Sequence, residues 1–205
     1  MVKPLSVVRS EFILGGQKSG KSRRAELLAR DWLAQSAGHK AVLIATAQAW
    51  DEEMGERIAR HQADRALRVP GMSTLEEPLA LAQAISRCAA PQTLVVVDCL
   101  TLWLTNLLMP VQLPVDAEQT PKNDSMESEE PSMKARQALL LSAIQNAAGP
   151  VVLVGNEIGL GVIPLGRETR AFVDALGCLN QGVAAVCGRV TLMVAGLPLF
   201  LKGAP

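Results

Sequence analysis

The chain has 205 residues, 49% hydrophobic and 20% charged, which is enough to bury one substantial core and excludes a disordered polymer. Twenty Lys and Arg balance twenty Asp and Glu, and aromatic residues are 3% with no tyrosine; lacking a basic field and stacking platforms, the chain is not expected to bind nucleic acid. Four cysteines without CxxC spacing and two scattered histidines suggest reduced thiols in a cytoplasmic protein, with neither a zinc site nor a disulfide framework.

The opening stretch 1-MVKPLSVVRSEFILGG-16 is interrupted by Arg9 and Glu11, so it reads as neither a signal-peptide core nor a membrane-inserted segment. From there apolar, β-branched runs alternate with helical patterns. A strand at 12-FIL-14 precedes a helix at 22-SRRAELLARDWLAQS-36, and a strand at 41-AVLIAT-46 precedes a helix at 51-DEEMGERIARHQADR-65. A helix is expected over 73–89, then the strand 93-TLVVVD-98 and a helix from Leu100 to Leu108. The strand 150-PVVLVGN-156, a helix over 167–187 and the strand 189-RVTLMVAG-196 complete the series. Continuous apolar strands separated by helices imply an α/β fold, a mainly parallel sheet with helices on both faces, in one domain spanning 1–205. Residues 110–133, rich in Pro, Asp, Glu and Ser, read as a mobile surface loop inserted in that domain.

Chemistry concentrates at the strand ends. The stretch 15-GGQKSGKS-22 fits G-x-x-x-x-G-K-[ST] between a strand and a helix, the pattern of a phosphate-binding loop. Its residues Gly15, Gly16, Gln17, Lys18, Ser19 and Gly20 would wrap backbone amides around phosphates at a helix N-terminus. Lys21 would reach the β- and γ-phosphates, and Ser22 would ligate Mg²⁺. Asp98 closes an apolar strand at the same carboxyl edge, where an acid holds Mg²⁺ directly or through water. Asn156 and Glu157 reach that edge on a third strand, and Thr46 and Gln48 on a fourth.

His61 follows that fourth strand. Met54, Ile58 and His61 fall at i, i+4 and i+7, which puts the imidazole on the apolar stripe and predicts that it points inward. By itself such a histidine reads as a packed structural residue. Near an α-phosphate it reads instead as a nucleophile that forms a phosphoramidate and divides a nucleotidyl transfer into two steps. Arg57, Arg60 and Arg65 surround it, either steadying phosphate charge or simply solvated on a helix face.

The blocks GGQKSGKS, IATAQAWDEEMGERIARHQADR, VVVDCLTLWLTNLL, NEIGLGVIP and RAFVDALGCLNQ together resemble the bifunctional adenosylcobinamide kinase / adenosylcobinamide-phosphate guanylyltransferase family of cobalamin biosynthesis. The resemblance implies a P-loop NTPase fold of the RecA-like type and two reactions. ATP or GTP would phosphorylate the corrinoid side arm of adenosylcobinamide. GTP would then guanylylate a histidine, here His61, and the corrinoid phosphate would take the GMP to give adenosylcobinamide-GDP. It further implies nucleotide contacts from Ala45, Thr46, Ala47, Gln62, Arg65, Glu76 and Asp98 besides the loop, Mg²⁺ as cofactor, and a homotrimer. The sequence departs from the family where Asp98 replaces a glutamate of some relatives, where Cys178 replaces a more common basic residue, and along 66-ALRVPGMSTLEEP-78. Two other readings stay open from the residues alone: a P-loop kinase for another small hydroxyl substrate with a structural His61, and a non-catalytic nucleotide-binding regulator.

Overall fold

A computed structural model describes residues 5–49, 52–109 and 131–204, with the side chain of residue 57 outside the description. In chain order the elements are β1 Ser10–Gly15, α1 Lys21–Gln35, β2 Lys40–Ala45, α2 Glu52–Arg68, β3 Met72–Glu76, α3 Leu81–Cys88 and β4 Thr93–Asp98. They continue with α4 Leu100–Leu108, α5 Met133–Asn146, β5 Val151–Val154, α6 Arg167–Val186, β6 Arg189–Val194 and β7 Leu197–Lys202. The seven strands form one sheet in the order β3-β2-β4-β5-β1-β6-β7. All neighbours are parallel except β6 and β7. The expected α/β fold is therefore present, with β5 standing between β1, which carries the P-loop pattern, and the acid-bearing strand β4.

Alternation along the strands divides the core between two faces. Phe12 and Leu14 of β1 join Val95 and Val97 of β4 under Ile85, Trp103, Ile144 and Leu179 from α3, α4, α5 and α6. Ile13, Leu43, Val96 and Val152 pack on the other face against Ala25, Leu28 and Ala29 of α1. Parallel strands all point their carboxyl ends the same way, so the loops after β1, β2, β4 and β5 share one edge.

Three sequence expectations need correction. The helix expected over 73–89 is split: Met72–Glu76 is strand β3, paired with β2 from Ala41↔Met72 to Ala45↔Glu76, and the helix begins only at Leu81. Pro78 explains the break, because proline disfavours helix at the preceding residue and removes a donor. The span read as a surface loop ends early. Its residues 110–130 lie outside the described residues, but Ser132 caps α5, its hydroxyl accepting from the Ala135 amide at 3.3 Å. The third correction concerns His61, which is exposed.

Candidate active site

The loop after β1 is shaped by backbone that only certain residues tolerate. Gly15 has φ 153° and Gly20, which precedes α1, has φ 100°. A Cβ on Gly15 would stand 2.5 Å from both the Met193 carbonyl oxygen and Ser19 Oγ, so any side chain there displaces β6 or the loop. The Gly196 amide donates to the Ser19 carbonyl at 3.0 Å, and the Glu157 amide to the Gly15 carbonyl at 3.1 Å. The turn after β6 and the end of β5 thus buttress the loop from both sides. Gly16, Gln17 and Lys18 form its exposed crest, whereas Ser19 and Lys21 are buried. Lys18 adopts φ 54°, and Ser19 Oγ is buried without a partner among the described residues.

Lys21 folds back so that its ammonium donates to the Gly16 carbonyl at 2.5 Å. Burial lowers its pKa, while the nearby Cys99 and Asp98 groups act in the opposite direction. The Ser22 hydroxyl donates to the Asp98 carboxylate. Asp98 is half-buried as a residue, yet burial of its carboxyl is the largest influence on it and pushes its pKa above the usual carboxylate range. The Ser22 hydrogen bond and the nearby His61, Arg65 and Lys21 side chains oppose that rise. Residues far apart in sequence therefore meet around one carboxylate: Lys21 and Ser22 from the P-loop, Asp98 from β4, and His61 and Arg65 from α2.

The helix α2 reaches this edge without sinking into the core. His61 and Gln62 are exposed and Arg65 is half-buried, as are Met54 and Ile58 on the stripe expected to face inward. The apolar spacing is too sparse to bury the helix: Gly55, Ala59 and Ala63 offer little surface, and charged groups fill the rest. Toward its C-terminus it is fastened by polar contacts. Gln62 Nε2 donates to Glu76 Oε1 at 3.2 Å, Arg68 donates to Glu26 of α1 at 3.0 Å, and Val69 just beyond the helix is buried. The second histidine behaves as the packed alternative would: His39 stacks on Trp32 with ring centroids 3.8 Å apart, ahead of β2 at the opposite edge of the sheet.

Other expected residues are placed less directly. Ala45 and Ala47 are half-buried beside the edge, Gln48 and Glu76 are exposed, and Glu157 turns back to accept from the Gly159 amide at 2.7 Å. Cys178 lies on the exposed surface of α6, where its carbonyl accepts from Gln137. Thr46 is fully buried, with its hydroxyl engaged by the Cys99 backbone at 2.8 and 2.9 Å, so its side chain faces the protein. Sequence reading missed Thr101 and Asn106 on α4 and Asn180 on α6. Thr101 Oγ1 accepts from the Asn156 amide at 2.8 Å, and Asn180 Nδ2 donates to the Asn156 carbonyl at 3.1 Å, so the end of β5 is held from two helices. The available signal was polar side chains inside the otherwise apolar run 100-LTLWLTNLL-108.

The cobinamide kinase / cobinamide phosphate guanyltransferase family matches residues 11–201. Among curated proteins, the chain is 46% identical to the bifunctional adenosylcobalamin biosynthesis protein CobP of Pseudomonas aeruginosa over 195 residues, covering 95% of this chain and 98% of that protein. It is 33% identical to the bifunctional adenosylcobalamin biosynthesis protein CobU of Escherichia coli, covering 93% and 98% respectively. Among solved structures, a Pyrococcus horikoshii OT3 protein from structural project PH0250 superposes with a TM-score of 0.50 at 10% identity, over 98% of this chain and 90% of that one, a likeness of fold alone. With a family match that spans nearly the whole chain and relatives matched end to end, the chain belongs to the cobinamide kinase / cobinamide phosphate guanyltransferase family.

Proposed function

We propose that this protein carries out both reactions of its family, phosphorylating adenosylcobinamide with ATP or GTP and then transferring GMP from GTP to the corrinoid phosphate through His61. The observation that carries this reading is the convergence at Asp98: the Ser22 hydroxyl bonds its carboxylate, and Lys21, His61 and Arg65 stand close enough for their charge to act on it. Family membership and the curated relatives' names support the two activities.

In the kinase reaction the loop amides and Lys21 cradle the phosphates, and little covalent chemistry is asked of the protein beyond positioning and charge stabilisation. Ser22 and Asp98 present two hard oxygen ligands side by side, and no group of three or more His, Cys, Asp or Glu among the described residues builds an all-protein metal cage. That donor set fits Mg²⁺, which takes few protein ligands and fills its shell with phosphate oxygens and water. Bound there, Mg²⁺ would neutralise charge that develops on the transferred phosphoryl group.

In the guanylyl transfer an imidazole nitrogen of His61 attacks the α-phosphorus of GTP, a P–N bond forms, and the bond to the bridging oxygen breaks to release pyrophosphate. An oxygen of the corrinoid phosphate then attacks the same phosphorus, breaking the P–N bond and freeing His61. The exposure of His61 supports this role, since the ring must meet first GTP and then a large corrinoid phosphate. Arg65 is placed to offset phosphate charge, and Gln62 and Glu76 present a polar pair next to the same helix. We further propose a cytoplasmic homotrimer, as the family resemblance implies. Among the described residues no helix is long and apolar enough to cross a membrane.

The deciding experiment uses GTP labelled at the α-phosphate with Mg²⁺, followed by denaturation and peptide mapping. Acid-labile, alkali-stable label is expected on the His61 peptide, and His61→Ala should abolish it while nucleotide binding and corrinoid phosphorylation persist. Proven GTP binding with no covalent label would defeat the guanylyl-histidine step.

A further inference from the structure

Thr46 follows β2 and introduces the segment that leads to the His61 helix, and it is entirely buried. Its backbone amide donates to the Asp98 carbonyl at 3.2 Å. Its hydroxyl donates to the Cys99 carbonyl at 2.8 Å and accepts from the Cys99 amide at 2.9 Å. One side chain thus satisfies both backbone groups of the residue after the metal-facing acid. Asn106, also buried, extends the frame from α4: its Nδ2 donates to the Thr46 carbonyl at 2.8 Å and to the Pro78 carbonyl at 3.1 Å. Pro78 precedes α3, and Glu77 beside it accepts from the Leu79 and Ala80 amides in the turn before that helix. The exits of β2, β3 and β4 are therefore cross-linked through two side chains that face the protein interior.

The hydrogen bonds that these buried groups make fix their geometry, since losing one costs the desolvation of the group left unpaired. Asn106 Oδ1 is itself buried without a partner among the described residues, so its Nδ2 bonds alone orient it. A frame that rigid is what phosphoryl chemistry requires, because misplacing a reacting group by about 1 Å costs orders of magnitude in rate. We infer that Thr46 and Asn106 are positioning residues that hold the Asp98–Cys99 corner and the root of the His61 helix in one register, and that the Thr46 side chain serves the protein backbone and not the nucleotide. The inference rests on the proposed nucleotide chemistry at Asp98.

The test compares Thr46→Val, which keeps the shape and removes the hydroxyl, with Thr46→Ser, which keeps the hydroxyl. Two quantities are read in the full-length protein: amide exchange at Cys99 and steady-state kinetics with GTP and adenosylcobinamide. In Thr46→Val, Cys99 exchange should accelerate by at least about tenfold as local opening becomes easier. Its kcat should fall roughly tenfold to a hundredfold while GTP affinity stays within about threefold. Thr46→Ser should restore both. Unchanged Cys99 exchange or unchanged kcat in Thr46→Val would overturn the inference, and so would a loss of GTP affinity with kcat intact, which would make Thr46 a nucleotide ligand. If Thr46→Val does not fold, Asn106→Leu makes the same comparison, with a lower kcat at preserved GTP affinity expected and an unaltered kcat contradicting it. Because exchange is read without turnover, wild-type protein inactive toward the corrinoid would defeat the functional proposal instead.

Discussion

The two halves of the candidate site are built by opposite means. The P-loop and the β4 corner are held from every side: Gly15 against β6, Ser19 by Gly196, Lys21 by Gly16, Asp98 by Ser22, and Cys99 by Thr46. The α2 helix instead exposes His61 and Gln62 and is held toward its far end by polar contacts. Phosphate binding is served by preorganisation, since fixed donors stabilise developing charge without reorganising. A residue that must face GTP and then a second, larger phosphate is served by access. Rigidity and exposure thus divide between the two proposed chemistries along the same line as between the two regions.

The largest effect that would break this comparison concerns Lys21. Lys21→Ala should reduce kcat/KM in both reactions by on the order of a hundredfold to a thousandfold, the cost typical of a lost charge-stabilising donor. Steady-state assays of each reaction check this, and full kinase activity in the variant would separate the loop from the chemistry.

Next in size is the support beneath the loop. Glu11 of β1 is buried between Arg24 of α1 and Arg189 of β6, at 2.9 and 3.2 Å, and accepts from Thr191 at 2.8 Å. Glu11→Gln leaves two buried guanidinium groups without their counter-charge and should cost about 3–5 kcal/mol in urea unfolding. On the α2 side Arg68→Ala breaks an exposed pair to Asp64 and a part-buried one to Glu26 and should cost less. Equal losses from the two variants would erase the distinction between a rigid and a lightly held half.

The smallest effect is alkaline. Burial, with Asp98 adding to it, pushes the Cys99 thiol up to about 11, and burial pushes Cys187 up to about 12. Their ordinary value is near 9.0, so above that pH the unfolded chain releases protons that the folded chain retains. The corresponding stability is fully present below pH 9.0 and is lost as pH rises through the folded-state values. Urea midpoints should therefore fall as pH rises from 9 to 10.5. Exposed Cys178 should react with iodoacetamide first at pH 8, and buried Cys99 and Cys187 only after unfolding. Rapid labelling of Cys99 in the folded protein would show that the β4 corner is not the tight element described.

Much of this was legible in the amino-acid order because its signals are local. The P-loop pattern over 15–22, the apolar strand ending at Asp98 and the spacing of the central strands follow from short-range steric and hydrophobic rules, and the structure places them as expected. Strands β3 and β7 were not legible. β3 is largely exposed and lacks a continuous apolar run; β7 is apolar but carries Pro198 and exposes Leu197, Leu199 and Leu201, so pairing with a neighbour is what defines them. Helix α5 was hidden by the polar segment before it, whose composition masked the cap at Ser132.

By itself the sequence determined the fold class, the phosphate loop and which residue types were available for chemistry, because steric permission at glycine and the period of apolar residues act over a few positions. Tertiary structure decided their partners and their exposure. It left His61 exposed, though near Asp98, where its spacing on α2 suggested burial, because a stripe becomes buried only where a neighbouring element covers it. It gave the Thr46 hydroxyl to Cys99, 53 residues away in sequence, a partnership that no local pattern records because parallel strands bring distant chain segments to one edge.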